Sequence, residues 1–291
     1  MPRFPRLILV VLLLITVLAH PCLAGSKPVV FFGTNLRYSP RTMYARYQPL
    51  MDYLTENTPY RFELLISRDY RQAVNDLKEG RVLISSLGDG AFVDAMLLYG
   101  AVPIVKPLNQ EGKPFYRAAI VVPRNSPALR IKDLKNKRFA FGSHHSITGN
   151  LLPRYMLERG GVSVSGLEYQ VSLKNHDAVT KAILKGQYDA GSVKEVFAGR
   201  YWQYGLRVLA FSDPIPSVPL VVHPDIPPPI RRAVTAALLK LDRRNPAHRE
   251  IMSRWDDEFR YGFAPASPAD YREQIWMFQS IPFGCGARCH Q

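Results

Sequence analysis

The sequence predicts an α/β protein of two Rossmann-like lobes joined by two crossing strands. From Val29 onward, short apolar runs alternate with amphipathic stretches of helical spacing, which is the pattern of parallel α/β architecture. A first set of such units is followed by the apolar run Ala118–Val122, ending at Pro123, which leads into a second set. Leu220–His223 then carries the chain back, so the first lobe is built from both ends of the sequence.

The elements follow in order. Val29-Val30-Phe31-Phe32-Gly33 is a buried strand closed by a glycine turn. Met43–Thr55 carries Tyr44, Tyr47, Leu50, Met51 and Leu54 at helical spacing, and Phe62–Ile66 is the next strand. Tyr70–Lys78 places Ala73, Val74 and Leu77 on one helix face. Arg81–Ser85 forms a strand, Leu87-Gly88-Asp89-Gly90 turns into a helix over Ala91–Leu98, and Val102–Lys106 is a further strand. In the second set, Arg138–Phe141, Tyr169–Ser172, Ala190–Val193 and Val208–Phe211 are strands. Its helices span Leu151–Arg159, Ala178–Leu184 and Glu195–Tyr204. Pro227-Pro228-Pro229 opens a late helix with Ile230, Val234, Ala237, Leu238 and Leu241 on one side, and the last helix ends near Phe278. The expected division is a first lobe of residues 25–117 and 223–280 and a second of 118–222, with a tail over 281–291. Such lobes leave a cleft between them where small ligands sit, and closure over the ligand is the expected motion.

Residues 1–24 stand outside the fold. Arg3 and Arg6 precede the apolar run Leu7–Ala19, and Cys22-Leu23-Ala24 fits a small-x-small cleavage site. A membrane anchor is the alternative, but the run is short for a hydrocarbon core about 30 Å thick. A lipoprotein needs a small residue before Cys22, where Pro21 stands. A cleaved signal peptide and a periplasmic location are therefore expected. The formal charge is +14, and loss of Arg3 and Arg6 leaves +12. The cations are scattered and do not form one run interleaved with aromatics, which argues against nucleic acid and for a small anion. Cys285 and Cys289 lie in the tail, where an oxidising compartment favours a disulfide. Cys-x-x-x-Cys followed by His290 differs by one residue from the pattern for covalent haem, and the chain ends at Gln291, so haem is the weaker alternative.

The segment richest in chemistry is Phe141-Gly142-Ser143-His144-His145-Ser146-Ile147-Thr148-Gly149-Asn150. It leaves a strand, passes through small and hydroxyl residues, and enters a helix, whose unpaired N–H groups and positive dipole end favour an anion. Ser146 and Thr148 add O–H donors, and Gly149 allows close backbone approach. Ordinary N-capping is the competing reading. Asn175 caps the next helix, with His176 in its first turn, while Tyr70 and Tyr116 stand at the edges of the lobes. Each of these three is more often structural when alone. No serine elbow, Walker loop or His-Glu-x-x-His occurs, so no enzyme is expected. Neither a metal nor another cofactor is expected. Asp256-Asp257-Glu258 reads as the solvated surface of a late helix.

Five stretches occur together in order: Tyr47–Leu54; Asp69-Tyr70; Ser85–Phe92; Ser146-Ile147-Thr148-Gly149; and His176–Val179 with Asp189–Val193. On these the chain resembles the PhnD-like family of phosphate-, phosphonate- and phosphite-binding proteins that serve ABC importers, from about Val29 to Phe278. The resemblance implies a type II periplasmic-binding fold, capture of a small phosphorus oxyanion, a permease in the inner membrane and a monomer. It also implies that Tyr70, Tyr116, Ser146, Thr148, Gly149 and His176 contact the oxyanion. The family's Ser-Thr-Ser-Gly reads Ser-Ile-Thr-Gly here, and Val218 stands where aminophosphonate binders carry an acid, with Glu195 as a substitute partner for an ammonium group. Those departures favour phosphite, methylphosphonate or phosphate. A sensor that presents its ligand to a membrane kinase would share the same lobes, and a redox protein using the cysteine tail is the remaining alternative.

Overall fold

The computed structural model describes residues 26–280; the expected leader and Cys285, Cys289 and His290 lie outside the described residues. The first lobe begins with β1 (Val29–Asn35), α1 (Pro40–Asn57), β2 (Arg61–Ser67), α2 (Tyr70–Lys78), β3 (Ile84–Ser86), α3 (Asp89–Tyr99) and β4 (Val102–Pro107). After the short β5 (Phe115–Tyr116), the second lobe comprises β6 (Ala118–Pro123), β7 (Arg138–Phe141), α4 (Leu152–Arg159), β8 (Tyr169–Ser172), α5 (His176–Leu184), β9 (Ala190–Lys194), α6 (Glu195–Trp202) and β10 (Leu206–Phe211). The chain returns through β11 (Ile215–Pro216) to β12 (Leu220–Val222), α7 (Pro228–Leu239), α8 (Pro246–Ser253), β13 (Phe263–Pro265) and α9 (Arg272–Ser280).

The first sheet has the order β13-β4-β12-β3-β1-β2, with β1 parallel to β2 and β3, and β12 antiparallel to β3 and β4. The second has the order β10-β6-β9-β7-β8, with β7 parallel to β8 and β9. Between them β5 and β11 pair antiparallel, Tyr116 opposite Ile215. The crossing segments therefore sit one element earlier in the chain than the sequence expectation on both passes. Leu220–Val222 belongs to the first sheet, which corrects the 118–222 boundary, and Ala118–Val122 lies inside the second sheet beside β9 and β10. An apolar run looks the same whether it crosses between sheets or is central to one, so the sequence pattern could not separate these cases.

Helix starts are fixed by side-chain caps. Asp69 accepts the N–H of Gln72 (2.8 Å) and starts α2 at Tyr70, and Asn175 accepts that of Ala178 (2.9 Å) and starts α5 at His176. Both helices begin beyond the carboxyl end of a parallel strand, β2 and β8, which is where open α/β sheets gather ligand-binding groups. Asp256-Asp257-Glu258 departs from expectation. Asp257–Phe259 is a single tight turn, Asp256 is fully buried, and the Glu258 side chain keeps only 9% exposure. A run of three acids is normally a solvated face; here Arg37, Arg46, Lys194 and Arg200 cover it.

Candidate functional site

The functional groups meet where the first turn of α3 presses against the loop after β7. Gly90 lies so close to that loop that a Cβ there would stand 1.9 Å from the His145 carbonyl oxygen. The lobes thus touch backbone to backbone at this point. The helix predicted from Leu151 is preceded by a wide π-type turn, Ile147–Leu151, a distortion often found at functional positions. Ser146 caps it by accepting the Gly149 N–H (2.9 Å), so the capping role is real and its own O–H stays available to donate. Gly149 sits 3.0 Å, measured from where its Cβ would be, from the His176 ring, and its carbonyl accepts from Gly142 N–H (2.6 Å) and Ser192 Oγ (2.5 Å).

An anionic oxygen already occupies this corner. Asp89 Oδ2 accepts from the Thr148 N–H (2.9 Å) and from Thr148 Oγ1 (2.9 Å), and the Tyr116 hydroxyl stands 3.5 Å away. Beside it, Glu258 Oε2 lies 3.1 Å from Lys194 Nζ and 3.1 Å from Arg37 Nη1. Arg37 is further held by the Ser86 carbonyl and hydroxyl and by the Leu87 carbonyl (2.9–3.2 Å), so its guanidinium is fixed in the first lobe. Lys194 also stacks its ammonium 4.2 Å over the Tyr116 ring. Burial works against charge on Glu258, but Lys194 and Arg37 hold its carboxyl well below the usual range. Burial pulls the His176 imidazole below its ordinary value, leaving it neutral at pH 7, and its buried Nδ1 makes no hydrogen bond among the described residues. Burial likewise raises the Tyr70 and Tyr116 phenols, which therefore remain donors.

The inner cavity is about 30 Å³, enough for one or two waters, and is lined by Arg37, Tyr70, Asp89, His176, Lys194 and Glu258 among others. A wider groove of about 1190 Å³ opens outside it, past Tyr116, Lys194 and Glu258, toward Glu195, Trp202 and Tyr204. The inner corner is the better candidate for a small anion, because the Thr148 donors, both cations and His176 converge there. Of the residues expected from sequence, Tyr70, Tyr116, Thr148, Gly149, Ser146 and His176 come together around it. Glu195 does not. It lies in the wider groove, where burial raises its carboxyl, so it is misplaced as a partner in the inner cavity. Val218 lines the cavity as expected, whereas Ile147 is fully buried in the core and offers the cavity nothing. The cavity is not short of carboxylates, however, since Asp89 and Glu258 supply two that sequence reasoning missed. Arg37 and Lys194 were missed with them.

Residues 32–271 match the family described as ABC transporter, phosphonate, periplasmic substrate-binding protein. The chain belongs to this family. Its members are substrate-binding proteins of transporters and are periplasmic. A probable phosphite-binding protein of an ABC transporter from Prochlorococcus marinus (strain MIT 9301) is 33% identical over 79 residues, 26% of this chain and 25% of that one. A phosphate-import protein from Mycolicibacterium smegmatis is 29% identical over 161 residues, 50% of this chain and 49% of its own length. The chain therefore aligns with a quarter and about half of these two relatives. In fold, the binding-protein component of an ABC phosphonate transporter from Pseudomonas aeruginosa superposes with a TM-score of 0.76 at 17% identity, covering 87% of this chain and 86% of that one. The methylphosphonate complex from Prochlorococcus marinus does so at 0.73 and 19% identity, covering 86% and 98%. The two-lobed periplasmic binding fold is thereby shown. Among the described residues no helix is long and apolar enough to cross a membrane.

The contact at Gly90 yields a test of lobe closure. Gly90→Ala places a methyl against fixed backbone, and overpacking of this kind costs about 1–3 kcal/mol. Because parted lobes relieve the clash, Kd for a ligand bound by closure is expected to rise by about fivefold to a hundredfold while the unfolding midpoint moves little. Calorimetric titration with a melting curve checks both, and unchanged affinity would show that binding does not need this contact.

Proposed function

We propose that this chain captures a small phosphorus oxyanion, a phosphonate, phosphite or phosphate, between its lobes and presents it to an ABC permease in the inner membrane. The observation that carries the reading is the oxygen of Asp89 seated on the Thr148 N–H and hydroxyl, with Tyr116, His176, Lys194 and Arg37 beside it. Donors that hold one anionic oxygen suit another of the same size and charge. Membership of the periplasmic family supports an extracytoplasmic location; cleavage after Ala24, a monomeric state and binding without catalysis or cofactor are further parts of the proposal.

Titration calorimetry on residues 25–291 with phosphite, methylphosphonate, aminoethylphosphonate and phosphate tests the reading. One-to-one binding of at least one is expected, weakened about tenfold or more in Thr148→Val, which removes a hydrogen bond to a charged oxygen. Absence of binding to all four would reduce the family relation to one of fold.

A further inference from the structure

Building on that reading of the cleft, we infer that Asp89 selects the ligand by its proton: it admits an oxyanion that carries a P–OH and rejects an equally charged one without it. Thr148 offers its N–H and Oγ1 to a single acceptor, and that acceptor is Asp89 Oδ2. Any ligand oxygen that reaches these donors must come against the Asp89 carboxylate. The cavity is too small to keep them apart without movement of the side chain or of the lobes.

The charges around this point are balanced before a ligand arrives. Arg37 and Lys194 face Glu258; Asp89 Oδ1 accepts the Gly90 N–H (3.0 Å), the Tyr116 phenol stands 3.5 Å from its Oδ2, and the Tyr70 phenol and the neutral imidazole of His176 line the same cavity. The charged residues lining the cavity thus sum to zero, leaving no excess positive charge to offset a bare anionic oxygen pressed on a carboxylate. A P–OH removes the conflict, because its proton becomes a short charge-assisted hydrogen bond to Asp89 while the other oxygens accept from Thr148, Lys194 or Arg37. An oxyanion without a proton puts two like charges in contact. The discrimination resides in one side chain on the first turn of α3, and it separates phosphorus from sulfur oxyanions of the same shape.

Two pairs of probes isolate the proton. Methylphosphonate and methanesulfonate are both monoanions at pH 6, and hydrogenphosphate and sulfate are both dianions at pH 8; within each pair the shapes match and one O–H differs. In the wild-type protein the sulfur member of each pair is expected to bind at least about a hundredfold more weakly than its phosphorus counterpart, since a buried polar group left unpaired discriminates strongly. Asp89→Asn, whose amide can donate, is expected to gain methanesulfonate or sulfate binding and to narrow the gap to less than about tenfold. A melting curve establishes that the variant folds, and Asp89→Ser provides a second neutral replacement. Equal binding of both members by the wild type, or no gain of sulfur-oxyanion binding in a folded Asp89 variant, overturns the inference. The first of these outcomes leaves the phosphorus-oxyanion reading intact, whereas failure of the wild type to bind any phosphorus probe removes both.

Discussion

Glu258→Gln is expected to lower the unfolding midpoint by about 10 °C and at the same time to tighten anion binding about tenfold. The two effects have one origin. The Glu258 side chain is only 9% exposed, and its Oε2 bridges Lys194 of β9 and Arg37 of the first lobe at 3.1 Å each. Removing one member of a buried ionic group leaves the others uncompensated, at roughly 3 kcal/mol or more. In a chain of this size each kcal/mol is worth roughly 2–4 °C. The same uncompensated cations then face an incoming anion. A gain of about 1.4 kcal/mol, a factor of ten, is modest for a full charge within a few ångströms at an effective dielectric near 20. Loss of the bridge to Lys194 also loosens closure, which opposes the gain. That opposition is the smaller effect, because Asp89–Thr148, the Arg200 Nε–Asp257 hydrogen bond (2.6 Å) and the Tyr38–Phe197 ring contact (5.7 Å) still join the lobes. Thermal melts with and without ligand, together with titration calorimetry, check both signs. A lower midpoint with weaker binding would instead mean that Glu258 itself accepts a proton from the ligand.

That prediction rests on residues invisible to sequence reasoning, and the reason is physical. Strands such as Val29–Asn35 and Ala118–Pro123 announced themselves by local apolar runs, and the cap at Asn175 by local chemistry. From that cap His176 could be placed at a helix start, the helical pattern of Tyr70–Lys78 placed Tyr70, and the hydroxyl-rich segment pointed to Thr148. Asp89, Arg37, Lys194 and Glu258 have no such local signature. In a chain with 38 Lys and Arg and 24 Asp and Glu, a charged side chain reads as solvated unless tertiary structure covers it. One usable signal was present for three of them. Arg37, Asp89 and Lys194 stand at or just past the carboxyl ends of β1, β3 and β9, the edge where open α/β sheets bind ligands. Glu258 arrives from a late turn on the far side of the sequence, and only the fold brings it to Lys194. The same blindness applies to the placement of Glu195. It follows Lys194 directly, but the start of α6 turns it into the outer groove.

Acidification from pH 7 to 5 is expected to destabilise the protein, and His176→Asn to remove most of that response. In the unfolded chain the imidazole takes a proton near its ordinary value of 6.5. In the folded chain burial opposes protonation first, Lys194 and Arg37 oppose it further, and Asp89 and Glu258 only partly compensate. Between 6.5 and the lower folded value the unfolded state therefore binds more protons, so stability rises with pH: it is full above 6.5 and is lost as pH falls through that range. The slope approaches about 1.4 kcal/mol per pH unit, or roughly 3–6 °C in midpoint. Glu258 adds a second limb of the same sign but lower in pH, because its depressed carboxyl contributes stability that is present above its ordinary 4.5 and lost below it. Melting curves from pH 7.5 to about 2.5 should thus show an upper limb from about 6.5 to 4 and a lower one beginning below 4.5 in the wild type, and in His176→Asn only the lower one. A phosphorus oxyanion seated beside His176 would favour the imidazolium, so bound ligand should shift the upper step toward higher pH and reduce it. An upper step that persists unchanged in His176→Asn would assign it to another group and leave His176 a packing residue against Phe197, whose ring centroid is 5.0 Å away.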